Sequence, residues 1–129
     1  MFSRVSTSLL EPCANTCRGG QYVDPSTATV VGADSQGGLI LRTTDGGITW
    51  TRQLAGTSPL LGVSFVDADT GTAVGAEGTI LHTTDGGATW TLQSSGTTVP
   101  LSGVTFVDAN TGWAVGEGGT ILHTTTGGE

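Results

Sequence analysis

Short runs of alternating apolar and hydroxyl-bearing residues recur along this chain, punctuated by pairs of glycines. Thr79-Ile80-Leu81-His82-Thr83 is β-branched and apolar, which suits a pleated, half-buried ladder. Thr89-Trp90-Thr91-Leu92 alternates strictly, so a strand here would send Trp90 and Leu92 to one face and the threonines to the other. Between these runs Asp85-Gly86-Gly87 supplies turn chemistry: the carboxylate can accept from nearby backbone N–H groups, and the glycines tolerate positive φ. No helical periodicity of useful length interrupts the pattern. The expected structure is all-β, built of strands joined by tight turns.

The pattern repeats. Thr83-Thr84-Asp85-Gly86-Gly87-Ala88-Thr89-Trp90 has an earlier copy at Thr43-Thr44-Asp45-Gly46-Gly47-Ile48-Thr49-Trp50 and begins again at Thr124-Thr125-Thr126-Gly127-Gly128. A period of about forty residues makes each copy one supersecondary unit in a stacked or circular array. Residues 57–98 form the one whole unit, with Val63 and Phe65 on one face and small residues, Ala73 and Gly75, where strands must approach closely. Residues 99–129 repeat the plan without a last strand. Residues 1–56 are a degenerate first unit. In it Phe2-Ser3-Arg4-Val5-Ser6 is expected as the first strand and residues 11–27 as a loop insertion of the kind that tends to carry binding roles.

The spacing Thr43-x-Asp45-x-Gly47-x-x-Trp50, repeated as Thr83-x-Asp85-x-Gly87-x-x-Trp90, resembles the Asp-box, or bacterial neuraminidase repeat. The wider unit adds Gly62-Val63-Ser64-Phe65-Val66-Asp67, Thr70-Gly71-Thr72-Ala73-Val74-Gly75 and Gly78-Thr79-Ile80-Leu81-His82. As a whole it resembles the repeats of the photosystem II stability/assembly factor propellers over roughly residues 28–129. The resemblance implies a β-propeller segment of about three antiparallel four-stranded blades, the last incomplete. Closed propellers use roughly 4–8 blades, so the ring would be completed by more chain or by oligomerisation. The third repeat breaks off mid-motif, which favours a piece of a longer propeller over assembly of several copies.

Charge narrows the partners. Four arginines and no lysine stand against eleven acidic residues, a formal net charge of −7. Nucleic acid needs clustered Lys and Arg, so it is disfavoured, as is an anionic membrane surface. No apolar run approaches the roughly 18–20 residues that span a bilayer, and Met1–Leu10 has no signal-peptide h-region. Cys13 and Cys17 could close a small disulfide loop in an exported protein or stand as two free thiols, and no nearby Cys or His completes a zinc site. An exported location, periplasmic, cell-surface or secreted, is the expectation.

Candidate chemistry is sparse. Asp45 and Asp85 each sit in their own repeated turn, so a local backbone role is expected rather than a catalytic pair. Asp67-Ala68-Asp69-Thr70-Gly71 begins like a calcium loop, but Gly78 stands where a bidentate glutamate is needed, and a turn is expected instead. Arg42, His82 and His123 occupy the same place in successive repeats. They would form either a polar face for an acidic partner or consensus residues bonded within each sheet, the second being favoured. The resemblance implies an arginine-bearing partner face, which only Arg42 carries over. Trp113 is expected between blades.

Sialidases that share the Asp-box carry an arginine cluster and a Tyr/Glu pair, whereas this chain has scattered arginines and a single tyrosine, Tyr22. The expected function is therefore a non-catalytic scaffold that binds a protein or carbohydrate polymer, with no cofactor. The alternatives are part of a propeller glycoside hydrolase whose catalytic residues lie elsewhere, and a self-assembling homo-oligomeric structural protein.

Overall fold

The computed structural model describes residues 17–22, 26–34 and 37–128. Within them the β-branched runs pair into three antiparallel sheets with strands in chain order. The first sheet holds β1 (Cys17–Tyr22), β2 (Ala28–Asp34), β3 (Gly37–Thr43) and β4 (Thr51–Thr57). The second holds β5 (Leu60–Phe65), β6 (Gly71–Gly75), β7 (Ile80–Thr83) and β8 (Thr91–Gln93). The third holds β9 (Leu101–Phe106), β10 (Gly112–Gly116) and β11 (Ile121–Thr124). Each is an up-and-down meander, as the hairpin chemistry predicts.

Registers repeat from sheet to sheet. Thr29 lies opposite Arg42, Thr72 opposite His82, and Trp113 opposite His123. β5 packs against β1 and β2 on one side and β9 on the other, so the second sheet is the middle layer. The alternation along each strand feeds two apolar layers. Val31 and Ile40 of the first sheet meet Leu60, Ala73 and Leu81 of the second, with Val63 and Trp90 packed against them. Val74 of the second meets Leu101 and Ala114 of the third, with Ile80, Val104 and Leu122 alongside. Fully burying one such aliphatic side chain is worth about 1.5–3 kcal/mol, and these interfaces hold the layers together.

Two sequence expectations need correction. β1 lies at Cys17–Tyr22, inside the stretch expected to be an insertion over residues 11–27. Its register to β2 explains why: Gly19-Gly20-Gln21-Tyr22-Val23-Asp24 matches Gly62-Val63-Ser64-Phe65-Val66-Asp67 without a gap. The glycine at Val63's place hid the apolar alternation, although the Tyr/Phe-Val-Asp signature was there to find. Phe2–Ser6 and Cys13 lie outside the described residues. Leu92 does not share a buried face with Trp90; it is 69% exposed. β8 begins only at Thr91, so Trp90 belongs to the turn and the strand's alternation does not run through it. Trp113 lies on the face of the third sheet turned away from the second, stacked on the His123 ring at 4.6 Å.

Close approach explains a second kind of position. A Cβ on Gly75 would stand 2.1 Å from the Pro59 carbonyl oxygen, at the end of β6 where Ala76 N–H donates to that same oxygen. A 3₁₀ turn follows at Ala76–Gly78, with Glu77 at φ 60°, the left-handed region. The equivalent turn of the third sheet, Glu117–Gly119, has Gly118 there at φ 66°.

Two substitutions with opposite outcomes test this geometry by chemical denaturation. Gly75→Ala should destabilise the chain by about 1–3 kcal/mol, because backbone rather than a flexible side chain must give way. Glu77→Gly, which installs the residue the third sheet already uses, should stabilise it by about 0.5–1 kcal/mol through relief of the left-handed conformation.

Candidate functional site

Each box is a knot of hydrogen bonds tied by one threonine and one aspartate. In the second sheet Thr83 Oγ1 donates to Asp85 Oδ1 at 2.8 Å and accepts from the Gly87 N–H at 2.9 Å. Asp85 in turn accepts from the Thr89 N–H (2.9 Å) and the Thr89 hydroxyl (2.6 Å). In the first sheet Thr43, Asp45, Gly47 and Thr49 repeat every one of these contacts. The paired glycines take φ values of 73° and 92° in both boxes, conformations that a Cβ would strain. Two hydroxyls and an amide on one carboxylate stabilise its charged form. Hydrogen bonds from Thr49 and Thr43 hold Asp45 at about 2, and those from Thr89 and Thr83 hold Asp85 at about 2, against an ordinary 3.8.

The third box substitutes Thr126 for the aspartate. The Thr124 and Thr126 hydroxyls stand 3.3 Å apart, and the Gly128 N–H still bonds Thr124 Oγ1 at 2.9 Å. Trp50 packs against the Leu39 and Leu41 cluster, as does Val30. Trp90 meets Phe65 edge-on, with ring centroids 6.0 Å apart. The indole N–H groups of both tryptophans are buried without a hydrogen-bond partner among the described residues.

Sequence reasoning missed what the boxes do for their neighbours. Within a sheet, the Gly86 N–H bonds the Asp69 carbonyl, as Gly46 bonds Ser26 and Gly127 bonds Asn110. Between sheets, Gln53 Nε2 donates to the Gly86 carbonyl at 2.9 Å, and Gln93 Nε2 donates to the Gly127 carbonyl at 3.1 Å. A Cβ on Gly87 would stand 2.0 Å from Gln53 Oε1, and one on Gly128 2.1 Å from Gln93 Oε1, so glycine at the second box position makes room for the neighbour's glutamine. The signal lay in Trp50-Thr51-Arg52-Gln53 and Trp90-Thr91-Leu92-Gln93, where tryptophan and glutamine recur at one spacing.

Arg42, His82 and His123 hold equivalent positions in three different layers and are not gathered into one site. His82 Nδ1 lies 3.0 Å from the Thr72 hydroxyl across the ladder. His123 stacks on Trp113 and is exposed. Arg42 is 9% exposed beneath the second sheet: its Nη2 donates to the Ala68 carbonyl at 2.6 Å, and its guanidinium stands 5.4 Å from the Phe65 ring centroid. Its Nη1 and Gln53 Oε1 are both buried without a partner among the described residues. The two side chains line a cleft of about 240 Å³ between the first and second boxes, with Thr49, Thr51, Asp85 and Gly86.

Asp67 Oδ1 accepts from the N–H groups of Asp69 (2.8 Å) and Thr70 (2.7 Å), and Asp108 does the same for Asn110 and Thr111. These bonds hold both carboxyls below the usual range and make the segment a turn. No cluster of three metal-ligating side chains occurs among the described residues, and no helix there is long and apolar enough to cross a membrane.

Residues 51–129 match the family model described as Photosynthesis system II assembly factor YCF48, and the chain belongs to that family. Among solved structures it is similar to YCF48 bound to D1 peptide, with a TM-score of 0.76 and 23% identity over 88% of this chain. It is similar also to YCF48 from Cyanidioschyzon merolae, with a TM-score of 0.70 and 26% identity over 88% of this chain. The chain spans 38% of the length of each. No curated protein matches. The three sheets are thus part of a β-propeller of the kind the repeats imply.

The low box carboxyls set a pH dependence. A carboxyl whose folded value lies near 2 binds its proton more weakly than the unfolded chain does, so the stability it lends is complete above about 4 and is lost as pH falls towards 2. The melting temperature should fall across that window. In the double variant Asp45→Asn, Asp85→Asn it should start lower and fall less steeply, as followed by circular dichroism.

Proposed function

We propose that this chain is part of a non-catalytic propeller scaffold that binds an extended polypeptide, and that the cleft beside Arg42 contributes to that binding. The single observation that carries the assignment of the site is the pair of uncompensated groups there. Arg42 Nη1 is a donor and Gln53 Oε1 an acceptor, both without a partner among the described residues, and both residues line the same cleft. Leaving two buried polar groups unpaired is costly, and a peptide C=O and N–H would satisfy both.

Support for a protein partner comes from the family. One similar structure is of YCF48 bound to D1 peptide, a polypeptide ligand on a propeller of this fold. Support for a role without catalysis comes from the carboxylates: Asp45 and Asp85 are each committed to their own threonines, which leaves neither placed to act as acid or base on a ligand.

Calorimetric titration of the chain with the D1 peptide and with a panel of unrelated extended peptides tests this. Binding of at least one is expected. Arg42→Ala should weaken it by about 10–100-fold, the worth of a charge-assisted hydrogen bond, with the β spectrum retained. Absence of binding to every peptide would remove the polypeptide-binding function. Binding that ignores Arg42→Ala would remove the cleft from it.

A further inference from the structure

Aspartate followed by glycine is a chemically labile pair. The glycine nitrogen attacks the aspartate Cγ, an N–Cγ bond forms, and the nitrogen's proton and the carboxyl hydroxyl leave as water to close a succinimide ring. Water then opens the ring at either carbonyl, which returns aspartate or gives isoaspartate. One water is lost and one regained, and nothing is oxidised or reduced. Glycine favours closure because it brings no Cβ to hinder the approach. In this chain Asp-Gly occurs only at Asp45-Gly46 and Asp85-Gly86, once in each complete box, and Asn-Gly does not occur.

Ring closure needs a free nitrogen, a neutral carboxyl and a side chain able to swing onto its own backbone. The box opposes all three. The Gly86 N–H is held on the Asp69 carbonyl at 2.9 Å, and the Gly46 N–H on the Ser26 carbonyl at 2.9 Å. The Asp85 carboxylate is pinned from both sides, by the Thr83 hydroxyl and by the N–H and hydroxyl of Thr89. Thr43 and Thr49 pin Asp45 in the same way. Those bonds hold both carboxyls at about 2 against an ordinary 3.8, which makes the neutral acid about tenfold or more scarcer than in a free chain.

We propose that Asp45-Gly46 and Asp85-Gly86 are latent isoaspartate sites that each box holds unreactive, so that a box which opens converts its own aspartate and leaves the other unaltered. The change is not a neutral one. Isoaspartate adds a carbon to the main chain between Asp85 and Gly86, and Gly86 then loses its fit to the Asp69 carbonyl and the Gln53 amide together. The third box has Thr126 before Gly127, so it has no carboxyl to close, yet Gly127 keeps the same two ties. The lability therefore arrives with the aspartate, and the threonines that hold the aspartate suppress it. Asp85 and Gly86 also line the Arg42 cleft, but the inference concerns a covalent change and stands whether or not that cleft binds polypeptide.

The test incubates the full 129-residue chain in mildly acidic buffer, folded and in guanidinium chloride, and then digests it with a protease that cuts before aspartate but not before isoaspartate. Mass spectrometry reads the uncut fraction at each site. The folded chain is expected to form isoaspartate about tenfold or more slowly at both sites. Thr89→Val, a change at an exposed position that removes one donor from Asp85, should raise the folded rate at Asp85 about threefold or more and leave Asp45 as it was. Thr49→Val should do the reverse, and Thr89→Ser, which keeps the hydroxyl, should stay protected. Equal rates in the folded and denatured chain would overturn the proposal. So would a Thr89→Val chain in which neither site accelerates, or in which both accelerate together, since global unfolding and not the box would then be the guard.

Discussion

The carbonyl of the first glycine in each box is the joint on which the stacking of these sheets turns. The box cannot offer that carbonyl outward until its own amides are satisfied, which is the work of Thr83 and Asp85 in the second sheet. Once they are, Gly86 is held with its N–H on the Asp69 carbonyl of its own sheet and its C=O on the Gln53 amide of the preceding one. One residue thus fastens a turn to its sheet and that sheet to its neighbour. The third box keeps both ties through Gly127 although Thr126 has replaced the aspartate. The outward connection therefore depends on the glycine conformation, and the carboxylate reinforces it.

This arrangement gives each sheet two unlike faces, and position in the stack decides what a repeated residue becomes. Thr29, Thr72 and Trp113 are register equivalents, as are Arg42, His82 and His123. Covered by the third sheet, Thr72 is 2% exposed and bonds His82, whereas Trp113 stacks on His123. Arg42 carries a charge into a covered layer, which is tolerable because its guanidinium meets a carbonyl and an aromatic face. A periodic row in sequence is therefore not a continuous row in space, since a whole sheet separates each member from the next.

The same logic sets how much could be read beforehand. Box spacing and the alternation of Ile80–Thr83 were legible because they follow local rules: a turn needs glycine and a ladder favours β-branched residues. The inner strand at Cys17–Tyr22 was not, because Gly19 and Gly20 erase the hydrophobic alternation and pairing to β2 supplies the strand instead. The exposure of Leu92 was hidden for a similar reason, as only the end of the turn at Trp90 sets the phase of β8. Arg42 was visible as a candidate, but the value of the site rests on its contact with Gln53's cleft and on Ala68 of the next sheet. Neither can be inferred from one repeat alone.

Chemistry on this scaffold is constrained by where its carboxylates are needed. A general acid or nucleophile must be free to change its protonation or form a bond, whereas Asp45 and Asp85 are each held by three donors that favour a permanent charge. Freeing either one would loosen the turn that positions its neighbour's glycine. What remains adaptable is a pair of groups without partners among the described residues where the first two sheets meet, Arg42 Nη1 and Gln53 Oε1. Contacts made through such groups leave untouched the turns that Asp45 and Asp85 hold.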